Sequence, residues 1–139
     1  MSAYPRSPKE TTSGMMYFAR MLDKIRLHGC GQLGEDYHAN LGGGMDKRCS
    51  GFLRVPYPEL RERVLAGGTD QEILEWCFEK GRRLDENDFL IWNHFVSKFG
   101  WNDQATSLLK EIKQRHGISD RTDIVTMSDL IDFDEGRKT

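Results

Sequence analysis

Hydrophobic positions recur along most of this chain every three to four residues. Met15, Phe18, Leu22 and Ile25 fall on one helical face, and Met16, Ala19 and Met21 widen it. Thr12 or Ser13 offers an N-cap for that helix, and Gly29 a C′ residue that ends it near His28. A short helix is expected from Met45 or Asp46 to about Leu53. Pro56 and Pro58 then break the chain and open a third, with Tyr57, Leu60 and Val64 on one face and Gly67 and Gly68 beyond its end. Thr69 and Glu72 spell a capping box ahead of ILEWCFEKG, which stops at Gly81. Asp85 opens a fifth helix, where Phe89, Trp92, Val96 and Phe99 share a stripe and Gly100 is the stop. Asn102 is expected to cap a sixth, built on Trp101, Ala105, Leu108, Leu109 and Ile112 and ended by Gly117. One more short helix is expected around Asp129 to Phe133, before a frayed tail over 134–139.

Nowhere do apolar and polar residues alternate long enough to predict a strand. The pattern therefore predicts an all-α fold, a compact bundle of six to seven short helices with one long glycine-rich loop. The length of 139 residues fits a single domain, with residues 1–12, which hold Pro5 and Pro8, as an extended N-terminal arm. Trp76, Trp92 and Trp101 are expected to anchor the core of three successive helices.

The long loop runs from Gly29 to Gly44. The stretch His28 to Gly51 holds seven of the chain's fourteen glycines, two of its four histidines and two of its three cysteines. Loops of this length inside a packed domain are usually functional or disordered. Each glycine costs about 0.5–1 kcal/mol in chain entropy relative to alanine, so the run Gly42-Gly43-Gly44 needs a reason. Close approach of the backbone to a ligand, or to another element, would supply one.

Gly29, Gly31 and Gly34 match G-x-G-x-x-G, but a helix precedes them and no strand does, so the dinucleotide reading fails. A phosphate loop of the Gly-Lys-Ser/Thr type fails too, because Asp46 stands before Lys47. A looser anion site survives at the start of MDKRCSGFL. There Lys47 and Arg48 occupy the first turn, the end of a helix that disfavours cations unless an anion is bound. Arg20 and Lys24 lie one turn apart on the first helix, with Asp23 placed to hold Arg20. His38, beside Tyr37, is the best acid/base candidate, since imidazole titrates near neutral pH. His94 and His116 read as structural.

Charge and cysteine content narrow the field. The net charge is −2, with eight Lys/Arg against five Asp/Glu in residues 1–54 and twelve against seventeen thereafter. Such a balance does not point to nucleic acid. No apolar run approaches a membrane span, and the N-terminus carries no secretory h-region. Three irregularly spaced cysteines suit a reducing compartment, and a cytoplasmic location is expected. His28, Cys30, His38 and Cys49 lack metal-ligand spacing, so neither a metal nor a cofactor is expected. Cys49 stands near a helix start that would lower its pKa, while Cys77 reads as core.

The segments RSPKE, RMLDKIR, GQLGEDYH and TDQEILEW together resemble a bacterial family of unknown function, the domain-of-unknown-function family numbered 5069. The resemblance runs from about Arg6 to Phe133. It implies a small cytoplasmic protein and places Arg20, Asp23, Lys24, Tyr37 and His38 in the motif-bearing part. It supplies no catalytic residue.

The expected function is binding of a small anionic metabolite in a cleft between the first helix and the Gly29–Gly44 loop. Arg20, Asp23, Lys24, Tyr37, Gly43, Gly44, Lys47 and Arg48 are the candidate ligand contacts. One alternative is an enzyme using His38 as acid and base. Another is a protein-interaction or scaffold module that presents the acidic C-terminal part.

Overall fold

The computed structural model describes residues 3–139 and is mostly helical. A two-stranded hairpin, β1 (Thr11–Thr12) and β2 (Met15–Met16), precedes helix α1 (Phe18–Gly29). A 3-10 helix (Glu35–Asn40) leads to α2 (Met45–Leu53), α3 (Tyr57–Leu65), α4 (Asp70–Lys80) and α5 (Glu86–Lys98). The chain then adds α6 (Thr106–Arg115) and α7 (Met127–Asp134).

Helix α1 is the axis of the core. Phe18, Met21, Leu22 and Ile25 are fully buried against Cys49 and Leu53 of α2, Leu60 and Val64 of α3, Ile73 and Cys77 of α4, and Trp92 and Val96 of α5. Each large apolar side chain so buried contributes about 1.5–3 kcal/mol. A second, smaller cluster joins Leu109 of α6, Leu130 of α7 and Ile124 between them. A cleft lies where the two clusters face each other.

The capping signals reappear as geometry. Thr69 and Glu72 exchange reciprocal hydrogen bonds at the start of α4, Asp85 and Asp88 do so at α5, and Thr126 and Asp129 at α7. Gly81 has a separate reason to be glycine. A Cβ there would stand 2.0 Å from the Leu53 carbonyl oxygen, so the α4–α5 turn lies directly on the end of α2.

Several local expectations are corrected. The first helix starts at Phe18, not after Thr12 or Ser13, and strands do occur. Thr11 pairs with Met16 and Thr12 with Met15 around Ser13 and Gly14, which both take positive φ. That is the backbone a tight two-residue hairpin needs. Side chains of α5 hold the hairpin: Trp92 Nε1 donates to the Met16 carbonyl, and Asn93 bridges the Met16 N–H and the Gly14 carbonyl. Packing of β2 against α5 and of β1 against α1 and α4, not alternation in sequence, makes so short a pair of strands stable.

The N-terminal arm, whose first two residues lie outside the described ones, is held at Arg6. Arg6 grips Asp23 through its main-chain N–H and its guanidinium, and Asp70 at 2.5 Å. Helix α6 begins at Thr106, because Asp103, not Asn102, organises the turn by accepting N–H bonds from Gly100 and Ala105. Trp101 is consequently 56% exposed and anchors nothing, whereas Trp92 is buried. The tail is not frayed at Glu135, which is 8% exposed, or at Arg137, which bridges Asp132 and Glu135.

The Gly29–Gly44 connection contains the 3-10 helix and several backbone bonds, such as Gln32 N–H to the Leu27 carbonyl and Tyr37 N–H to the Gly34 carbonyl. Gly42 explains part of the glycine run. It takes positive φ, and a Cβ there would lie 2.8 Å from the Tyr57 ring.

Candidate functional site

The cleft between the clusters has a volume of about 750 Å³. This lies within the size range typical of small-molecule sites. One wall is polar: Tyr17, Arg20 and Lys24 from the start of α1, Asp36, Tyr37 and Asn40 from the 3-10 helix, and Arg48 from α2. The opposite wall is largely apolar: Val96 and Phe99 at the end of α5, Leu108 and Ile112 from α6, and Met127, Leu130 and Ile131 from α7.

Two buried ion pairs stiffen the polar wall. Arg20 Nη1 and Nη2 donate to the two carboxylate oxygens of Glu135 at 2.9 and 2.8 Å. Such a fork is the strongest common carboxylate geometry. Glu135 also accepts from Tyr37 Oη at 2.5 Å and from Arg137 at 2.6 Å. Burial alone would raise the Glu135 carboxyl, but the hydrogen bonds from Arg20 and Tyr37 outweigh it and hold the group below its ordinary value. The Tyr37 hydroxyl is pushed up, first by burial and then by its bond to Glu135.

The second pair sits deeper. Asp46, fully buried, accepts from Tyr17 Oη at 2.5 Å, from Lys24 Nζ at 3.0 Å and from the Gly42 N–H at 3.1 Å. Burial, followed by the nearby Asp46 charge, raises the Tyr17 hydroxyl well above its usual value, so it stays a donor. Tyr17 also has φ of 72°, an uncommon backbone for an aromatic residue. Asp46 thus ties the first turn of α2 to α1 through Lys24 and to the preceding loop through Gly42.

Arg20, Lys24, Tyr37, Gly43, Gly44 and Arg48 all line the cleft. Three other sequence candidates are placed elsewhere. Asp23 does not hold Arg20; it binds Arg6, and Glu135 does the holding. Lys47 is exposed on the outer face of α2. His38 is exposed too, its Nε2 lying 3.1 Å from the Leu33 carbonyl oxygen and its ring edge-on to His28. Cys49 is fully buried, and burial raises its thiol, the reverse of the activation expected from its helix position.

Sequence reasoning missed Tyr17, Asp46, Glu135 and the apolar wall. Glu135 had no local signal, since its partner Arg20 lies 115 residues away. A hint of the apolar wall was available in Leu108 and Ile112, which recur at helical spacing.

Arg48 differs from the other cations of the wall. Its guanidinium stands 5.1 Å from the Phe99 ring centroid, and among the described residues it pairs with no carboxylate. Among those residues, too, no group of three or more His, Cys, Asp or Glu side chains is arranged to hold a metal ion, and no helix is long and apolar enough to cross a membrane.

The model of the family described as Domain of unknown function (DUF5069) matches residues 2–137, and the chain belongs to that family. Among curated proteins, none matches it.

Proposed function

We propose that this member of the family binds a small anionic metabolite in the cleft between α1 and the α6–α7 pair. The observation that carries the reading is Arg48, which among the described residues has no carboxylate partner and lies on the wall of a cavity of about 750 Å³. Binding sites of this kind combine a largely apolar surface with a few fixed polar groups. Here the polar groups are fixed before any ligand arrives. Arg20 and Tyr37 are locked on Glu135, and Lys24 and Tyr17 on Asp46. A pre-organised wall loses little conformational entropy on binding.

Arg20 and Lys24 spend their charge within the protein, so their role is to shape the wall and offer remaining N–H donors. Arg48 supplies the attraction for the anion. Acid/base chemistry at His38 is less favoured, because its ring lies outside the cleft lining.

A thermal-shift screen across inorganic phosphate, nucleotides and carboxylic acids tests the reading. A ligand at 100 times its Kd should add about 2.7 kcal/mol to unfolding. Silence across the panel with the wild-type chain would overturn it.

A further inference from the structure

We infer that the cleft selects amphipathic monoanions, a single carboxylate on an apolar body, over phosphates, nucleotides and dicarboxylates. This rests on the binding role proposed above and names its ligand class. Three observations carry it.

The first is the charge inventory of the lining. The lining holds Arg20, Lys24 and Arg48 together with Asp36, Asp134 and Glu135, and Lys24 is bound to the buried Asp46. Arg20 is consumed by Glu135 at 2.8 Å and Lys24 by Asp46 at 3.0 Å, both pairs buried. No surplus of positive charge remains for a polyanion. Asp36 and Asp134, also in the lining, add negative charge that disfavours a second anionic group on the ligand.

The second observation is the setting of Arg48. Its guanidinium lies over the Phe99 ring, 5.1 Å from the centroid. An edge with two N–H donors suits one carboxylate held bidentately. This single docking point sits at the seam between the polar and apolar walls.

The third is the apolar wall itself. Val96, Phe99, Leu108, Ile112, Leu130 and Ile131 line the cleft across from Arg20, Lys24 and Arg48. Leu108 lines the cleft and is 47% exposed, so it retains apolar surface to cover. A hydrocarbon or aromatic body laid there buries its surface, and affinity then rises with chain length.

Titration calorimetry on the full chain, with octanoate, butanoate, 1-octanol, suberate, inorganic phosphate and ATP as probes, tests the inference. Octanoate should bind about ten-fold or more tightly than 1-octanol, since a charge-assisted bond to Arg48 distinguishes them. It should also exceed butanoate and suberate, while phosphate and ATP give no heat above dilution. Arg48→Met should bring octanoate down to the level of 1-octanol and leave 1-octanol unchanged. Leu108→Asn, at a half-exposed position, should remove the gain of octanoate over butanoate. An unaltered octanoate to 1-octanol ratio in R48M overturns the inference. Tighter binding of ATP or suberate than of octanoate overturns it too, but leaves an anion-binding cleft standing. No binding of any probe, in a chain that melts cooperatively, overturns both.

Discussion

Arg20 and Glu135, 115 residues apart in sequence, meet face to face through two hydrogen bonds of 2.9 and 2.8 Å. The pair joins the central helix to the last turn of the fold. Its neighbours extend it: Tyr37 donates to the same carboxylate, and Arg20 Nη1 also donates to the Arg6 carbonyl. Arg137 reaches the Pro5 carbonyl and the Glu135 carboxylate together. The N-terminal arm, the 3-10 helix, α1 and the tail are thereby tied at one point.

Glu135 should make stability fall in acid. Its carboxyl lies below its ordinary value of 4.5 in the folded chain. A depressed carboxyl contributes stability above its unfolded pKa, and that contribution is lost as pH falls through the folded pKa. Urea unfolding measured from pH 6 to pH 3 should show a loss below about pH 4.5 that is smaller in Glu135→Gln. A variant with the wild-type slope would contradict this.

Asp46 is fully buried and holds Lys24. Asp46→Ala leaves an ammonium buried without its partner, at a cost of about 3–5 kcal/mol. Replacing both, as Lys24→Met with Asp46→Leu, should recover much of that loss. Denaturant midpoints for the single and double variants measure the coupling.

Gly81→Ala should destabilise the chain although its φ is negative. The added methyl group would meet the Leu53 carbonyl at 2.0 Å, and that neighbour is backbone that cannot rotate away. Overpacking of this kind costs about 1–3 kcal/mol. Equilibrium unfolding of G81A against wild type gives the value.

Thiol labelling should divide the cysteines. Cys30 is exposed, while Cys49 and Cys77 are fully buried. Burial also pushes the Cys77 thiol up to about 12. The native chain should react with an aromatic disulfide reagent at one thiol within minutes, and at the other two only on unfolding. Mass spectrometry after alkylation identifies which.

His38→Ala should change stability little, since the side chain is exposed and its one polar contact is to a carbonyl of its own loop. Octanoate affinity should stay as in wild type. A large loss of binding in H38A, with an unchanged melting temperature, would move the site away from the cleft.

Local chemistry made much of this fold legible in sequence. The Thr69–Glu72 box, the stop at Gly81 and the start at Asp85 each depend on residues three or four apart, and the structure places all three as expected. The hydrophobic face Phe18–Leu22–Ile25 was readable for the same reason: a helix brings those positions together wherever it packs. The hairpin at Thr11–Met16 was not readable, because Trp92 and Asn93 hold it from 76 and 77 residues away.

The candidate site divides along the same line. Sequence by itself determined that the chain is mostly helical, where most helices begin and end, and that charge gathers on α1 and at the start of α2. Those properties follow from backbone geometry and near neighbours. Only the tertiary structure decided that Asp23 serves Arg6, that Glu135 serves Arg20, that Asp46 is buried and bound to Lys24, and that Arg48 lines a cavity with no carboxylate partner among the described residues. Charges act through space, so which cation is left over depends on what packs beside it.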